Sequence, residues 1–397
     1  MRSLAVAGIA VVSALIFAGC SGVPAGPATG EPLLVQGNSS LELVPESAAA
    51  AQAVFDDYNT AGGFKGRPIK YTVCNDMVDP AVSATCMKDA ISAGTIAMVG
   101  SSSLIDCVVN SSTWEESDMV SFQGAGLDPY CFTTSNVASA NAGPFFDAQA
   151  ALHNAYASGA KNVCVIATSA DPKTTIAYEQ TFTRYAKSSG NKLSFLDVTT
   201  GFGADYTNVV ASALESDCDA MVLLGRGPDM LMMLNLMTGL GSSLPVFMQT
   251  SVYYPQFASA AAGYGGAISV VSDFSPFTDT KDTSNDQWKK VMGEHDVPLS
   301  SFAQGGYLAA KDFIKVLESA KGDITAAAVT AAAKAMSTPE GDPMRGNSWI
   351  FGPTASHQVN TSTWEVVIKP GSGVWTSVGP WVSGTDIGWV KTTVPKS

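Results

Sequence analysis

Short strand-like runs alternate with helix-like stretches of about 10–15 residues over most of this chain, and that alternation restricts the fold more than any other feature. Leu33–Val35, Ile69–Val73, Ile96–Val99 and Met119–Phe122 are short apolar runs. Between them, Pro45-Glu46 opens an Ala-rich helix that stops at Gly62-Gly63. Asp79-Pro80 opens a second that stops at Gly94, and a third follows Ser101-Ser102-Ser103 and runs through Trp114. Proline in the first turn and glycine past the end are the expected helix punctuation. The pattern resumes after residue 145. Strands are expected at Val163–Ala167, Leu193–Val198, Ala220–Leu224, Val246–Met248 and Ala267–Val271, and helices at Phe145–Ala157, Thr174–Ser188, Tyr206–Leu214, Pro228–Thr238 and near Pro255–Ala261. Strands separated by helices form βαβ units with right-handed crossovers and a parallel sheet. Two such series predict an α/β chain of two doubly wound lobes.

The remainder breaks the pattern. Gln287–Gly293, Phe302–Ala320 and Ile324–Met336 read as three helices in succession, and Ile350-Phe351, Trp364–Ile368 and Val374–Val378 as short strands. Such helices need a sheet to cover, so they are expected to return to the first lobe and the final strands to the second. The chain would cross between lobes near Gly143–Phe146, Ser272–Pro276 and Gly352. The expected lobes are residues 31–145 with 273–351, and 146–272 with 352–397.

The N-terminus predicts a location. Arg2 precedes an apolar stretch, Leu4–Phe17, that is too short to span a bilayer comfortably. Phe17-Ala18-Gly19-Cys20 then resembles a bacterial lipoprotein signal, with Phe17 where leucine is usual. Residues 1–19 would be removed and Cys20 acylated, anchoring the protein on the outer face of the cell membrane. A plain secretory peptide with a chance cysteine is the alternative. Residues 20–30, rich in small residues, proline and glycine, read as a flexible tether. No later apolar run is long enough to cross a membrane. A net charge of −13 with 14% charged residues argues against a nucleic-acid partner.

Three segments carry a resemblance. Val54–Lys70 (VFDDYNTAGGFKGRPIK), Asn75-Asp76 with Asp79-Pro80, and Ala97–Ser103 (AMVGSSS) follow one another at spacings similar to those of the type I periplasmic solute-binding proteins. The subgroup is that of the branched-chain amino-acid and amide receptors of ABC importers. The likeness implies two Rossmann-like lobes joined by three hinge crossovers that close on a small solute. It further implies a permease and an ATPase as partners, a monomeric receptor and no cofactor. The family's first glycine-threonine loop is replaced here by Gly37-Asn38-Ser39-Ser40.

In an open parallel sheet, ligands sit beyond the carboxyl ends of the strands. Ser101, Ser102 and Ser103 stand between a strand and a helix, where hydroxyls and free N–H groups suit an anion; capping the helix is their other reading. By resemblance, these serines and the backbone around Ala125 and Gly126 would hold a ligand carboxylate. Arg226 follows a second-lobe strand and would clamp a carboxylate or stack on an aromatic ring, or else form an interlobe or surface ion pair. Asp171, Thr174, Thr250, Ser251 and Tyr253, with Tyr254, follow other strand ends and could line the cleft; for Tyr253, packing as a rim aromatic is the more common role. Met248-Gln249-Thr250-Ser251 carries no acidic residue where the amino-acid receptors place one. The ligand is therefore expected to be a polar or carboxylate-bearing solute, such as an amide or an aromatic or alicyclic acid, rather than an ordinary α-amino acid.

Beyond Cys20, six cysteines remain, an even number in an exported chain. Their layout favours Cys74–Cys86, Cys107–Cys131 and Cys164–Cys218, with free buried thiols as the alternative. Catalysis is not expected. The chain lacks G-x-S-x-G, H-E-x-x-H and P-loop patterns, and His153, His295 and His357 lie far apart in sequence. Two further readings stay open: a lipid-anchored sensor that signals to a membrane receptor, and a structural adhesin.

Overall fold

A computed structural model describes residues 26–353 and 358–393. The expected signal, Cys20, residues 20–25 of the tether and His357 lie outside these.

The first sheet has the order β2-β1-β3-β4-β5, formed by β1 (Leu33–Ser39), β2 (Ile69–Asn75), β3 (Ala97–Ser103), β4 (Ser121–Gly126) and β5 (Val137–Ser139). All its pairings are parallel. The second contains β6 (Val163–Ala167), β7 (Leu193–Asp197), β8 (Ala220–Leu224), β9 (Val246–Met248), β10 (Ile268–Ser272), β11 (Ser362–Ile368) and β12 (Trp375–Ser383). Its order is β12-β11-β10-β9-β8-β6-β7, with parallel pairing from β10 to β7 and β11 antiparallel to both β10 and β12. β3 and β6 are buried along their whole length. That explains why they read as continuous runs rather than alternating ones: helices cover both faces.

Local chemistry sets the helix ends. α1 (Glu46–Thr60) begins just after Pro45. In α2 (Pro80–Ala93), the Asp79 side chain accepts the N–H groups of Ala81 and Val82, and Gly94 ends the helix at φ 78°. α5 (Pro172–Ser189) repeats the device: Asp171 accepts from Lys173 and Thr174, and Gly190 closes it at φ 73°. The other helices of the two series are α3 (Asp106–Glu116), α4 (Pro144–Ala157), α6 (Thr207–Leu214), α7 (Gly227–Gly239) and α8 (Pro255–Ala260).

Three crossovers link the lobes. After β5 the chain enters α4, which packs on β8, β9 and β10. After β10 it returns through α9 (Asp286–Glu294) to α10 (Ser301–Ser319), which lies on α1, β3 and β4, and then to α11 (Ala326–Lys334) against α10. After α11 it goes back to β11 and β12 on the second sheet, ending in α12 (Gly384–Ile387). In the third section, α10 thus packs on elements of the first sheet, while β11 and β12 pair within the second.

Three local expectations need correction. Ser101–Ser103 and Gly124–Gly126 are not loops after their strands; they are the last residues of β3 and β4, with Ser102 beside Ala125 and Ser103 beside Gly126. Apolarity stops at Val99 and Phe122, but the ladder does not, because small residues suit a strand that neighbouring backbone approaches closely. Ile350-Phe351 is not a strand; Trp349 bridges Glu340 instead, and Phe351 packs on Phe122 with ring centroids 5.4 Å apart. β5 gives little sequence signal because it spans only Val137–Ser139.

Disulfides join Cys74 to Cys86, Cys107 to Cys131 and Cys164 to Cys218. The first ties β2 to α2, the second the start of α3 to the 3-10 turn Pro129–Phe132, and the third β6 to the turn before β8.

Candidate functional site

The carboxyl ends of both parallel sheets face one cavity of about 380 Å³. Strand tips position its walls. Leu43, Val44 and Glu46 follow β1, Leu104 follows β3, Leu127 follows β4, and Phe302 comes from the first turn of α10. With Glu42 and Ser300 they make a first-lobe wall that is mostly apolar but carries two glutamates. From the second lobe, Ser169, Asp171 and Thr174 follow β6, Phe202 follows β7, Arg226 follows β8, and Ser251 and Tyr254 follow β9.

The second-lobe wall is polar and partly unsatisfied. Asp171 Oδ1 accepts the Lys173 and Thr174 N–H groups at 2.9 and 3.0 Å, while its buried Oδ2 has no hydrogen-bond partner among the described residues. Thr174 Oγ1 is likewise buried and unpartnered, in a residue only 6% exposed. Arg226 is engaged within its own lobe. Its Nε donates to Asp229 Oδ2 at 2.7 Å and its Nη2 to Oδ1 at 3.1 Å, and its guanidinium lies 4.6 Å from the centre of the Phe202 ring. Asp229, with a side chain 2% exposed, also accepts the Gly203 N–H. Glu46, half-buried on the opposite wall, has its carboxyl pushed above the usual range by burial. Its charge in turn adds to the burial that raises the Tyr254 phenol.

Five of the residues singled out from sequence thus line the cavity: Asp171, Thr174, Arg226, Ser251 and Tyr254. The others lie behind it. Ser101 Oγ accepts the Asn38 N–H at 3.0 Å, and the Ser102 N–H donates to Ser39 Oγ at 3.1 Å. Ser103 Oγ donates to Asp76 and accepts the N–H groups of Ile105 and Asp106, so it caps α3. Ala125 is buried within β4, and the Gly126 N–H donates to Asn141. Thr250 Oγ1 donates to Ser301 Oγ at 2.7 Å, an interlobe bond. Tyr253 is fully buried, with its hydroxyl on Thr278 and its ring 4.4 Å from that of Phe277. The residues that reach the cavity from β3 and β4 are instead Leu104 and Leu127, one position past each strand. A search for polar groups passes over them.

Across the cleft rim, Lys173 Nζ lies 3.2 Å from the Tyr130 hydroxyl and 4.9 Å from its ring centre, joining the two lobes. Among the described residues, the one cluster of metal-ligating types is Cys107, Asp128 and Cys131, whose sulfurs are joined to each other. His153 meets Tyr185, and His295 meets Asp57.

A family model described as Periplasmic binding protein matches residues 35–373. The chain belongs to that family. Its members bind solutes and are not enzymes, and they work outside the cytoplasm. Solved periplasmic binding proteins share the fold of this one at low identity. One is the solute-binding protein of an ABC transporter from R. palustris in complex with 4-hydroxybenzoate, at TM-score 0.75 and 14% identity, covering 91% of this chain and 100% of the other. A fatty acid ABC transporter substrate-binding protein from Thermomonospora curvata aligns at 0.73 and 18%, covering 94% and 98%. A leucine-binding protein from Thermotoga maritima aligns at 0.69 and 13%, covering 89% and 99%. Among curated proteins no relative matches. In this periplasmic binding protein, the cavity occupies the place between strand tips that the fold reserves for a ligand.

Proposed function

We propose that this chain is the substrate-binding subunit of an ABC importer, held outside the cell membrane through acylated Cys20, acting as a monomer and passing a small solute to its permease and ATPase. The observation that carries this reading is a cavity walled by both lobes, at the carboxyl ends of strands from both sheets. A solute that touches both walls favours the closed arrangement over the open one by the difference in its contacts. The moving bodies are residues 31–145 with 273–351, and 146–272 with 352–397. Relatives of the same fold, named for fatty acid, leucine and 4-hydroxybenzoate, support capture of a small organic molecule with one apolar part.

Small-angle scattering and thermal melting of the full chain against a solute library test the reading. A ligand is expected both to reduce the radius of gyration and to raise the midpoint, since it binds only the folded state. A particle whose size no solute alters would overturn it. Mass spectrometry of the mature N-terminal peptide checks the anchor: acyl mass on Cys20 is expected, and an unmodified or absent Cys20 refutes it.

A further inference from the structure

The two walls of the cavity differ in chemistry, and the difference specifies a ligand. The first-lobe wall offers Leu43, Val44, Leu104, Leu127 and Phe302, with the half-buried Glu46 and the exposed Glu42 as its ionisable groups. None of the strand-end serines lines the cavity: the Ser101 and Ser103 hydroxyls meet partners inside that lobe, and the Ser102 hydroxyl is buried without one among the described residues. On the second-lobe wall, the one cation is Arg226, and Asp229 holds it through two bonds. A carboxylate entering here would meet a guanidinium whose charge is already matched, in a cavity also lined by the acidic Asp171, Glu46 and Glu42. The orphaned Asp171 Oδ2 lacks a donor, and Thr174 Oγ1 beside it lacks any partner. A buried acceptor without a donor costs stability, and a charged donor repairs that most strongly.

We infer that this cavity takes an amphipathic organic cation: an aliphatic or arylalkyl amine, without a carboxylate, whose apolar body lies on the first-lobe leucines and Phe302 and whose ammonium meets Asp171, Thr174 and Glu46. The inference rests on the solute-capture reading and narrows it. An ammonium has only donors, three of them, which matches acceptors on two walls. The apolar body accounts for the leucines at the tips of β3 and β4, since burying them against hydrocarbon releases water from both surfaces. The cavity volume, about 380 Å³, is of the size that encloses a small organic ligand.

The test compares head groups on constant bodies. Octylamine, octanol and octanoate form one series; phenethylamine, 2-phenylethanol and 3-phenylpropionate form another; leucine and 4-hydroxybenzoate complete the set. Calorimetry on the full chain is expected to show each amine binding about tenfold or more tighter than its alcohol and acid. Asp171→Asn keeps an N-capping side chain, so α5 stays capped, and Glu46→Gln keeps the shape of its side chain. Each is expected to weaken amine binding about tenfold while leaving the melting midpoint of the unliganded protein close to that of the parent. Tighter binding of an acid, of leucine or of an alcohol would overturn the inference and leave solute capture intact. Amine binding that neither variant weakens would overturn it too, as would no binding of any amine. Failure of capture itself is read separately, from scattering against the wider library.

Discussion

Arg226 shows how one neighbour changes a residue's meaning. In sequence it is a lone cation after a strand, ready for an anionic ligand. In the structure it sits three residues before Asp229, whose nearly buried carboxylate takes two of its nitrogens. The pair and the Phe202 ring form a fixed edge of the cavity. Removing the cation leaves Asp229 with the Gly203 N–H but without its charged donor. Arg226→Ala is therefore expected to lower stability by about 1–3 kcal/mol in denaturant unfolding. Adding Asp229→Ala should cost less than it would alone, because the two residues share one interaction. Additive losses would mean that the pair is not coupled.

At the level of elements, close approach decides where α10 can lie. A Cβ on Gly306 would run into the backbone of Ser47 on α1, and one on Gly305 into the backbone of Gly124 on β4. Both glycines stand inside a helix, where they cost backbone entropy. They are kept there because three backbones meet. Gly306→Ala forces α1 and α10 apart and is expected to destabilise by about 1–3 kcal/mol, although alanine is the better helix former. A midpoint in chemical denaturation equal to or above the parent's would refute this. The elements themselves were largely legible. Asp79-Pro80 marks a helix start by chemistry that needs no tertiary partner, and the buried runs at Val163–Ala167 and Ala220–Leu224 appear as strands at those bounds. Asp171-Pro172 uses the same chemistry, two residues before the start at Thr174 that the sequence suggests. Ser101–Ser103 did not read as strand, because their place in β3 depends on pairing with β1 and β4.

Across the whole molecule, the three crossovers meet at one residue. Asp273, just after β10, accepts the Ala142 and Gly143 N–H groups of the first crossover at 2.9 and 3.4 Å. Asn360, from the third, donates to the Asp273 carbonyl at 3.0 Å. The Asp273 carboxyl also lies close enough to that of Asp147 on α4 for their charges to act on each other, and Asp147 Oδ1 and Asp273 Oδ2 are buried without a hydrogen-bond partner among the described residues. Burial, with the like charge beside it, raises Asp147 well above the usual range, and burial carries Asp273 up to about 6. Burial also raises Asp106 to about 6 and Asp128 to about 8. For each, the folded state holds its proton more tightly than the unfolded chain. Their contribution is therefore fully present below the ordinary aspartate value near 3.8 and is lost as pH rises through about 6 and then about 8. Asp205 and Asp386 act oppositely: hydrogen bonds hold both below the usual value, so their contribution is lost in stronger acid. The melting midpoint should rise as pH falls from about 8 to about 5, helped by relief of the net charge of −13. Combining Asp147→Asn with Asp273→Asn should flatten part of that slope. A midpoint that climbs steadily toward pH 8 would contradict the assignment.

Read without a fold, the order of residues determines the α/β class, the two series of βαβ units and most helix starts. Those follow from periodicity, capping and punctuation, which act over a few neighbouring residues. The cavity wall is a different matter. Whether a hydroxyl after a strand faces a ligand or a neighbouring strand, and whether an arginine keeps its charge free, depends on groups brought together from distant parts of the chain. Ser103 turned inward to Asp76, Leu104 took its place at the cavity, and Asp229 closed on Arg226. Only packing decides such exchanges, because a buried polar group goes to whichever partner the fold sets beside it.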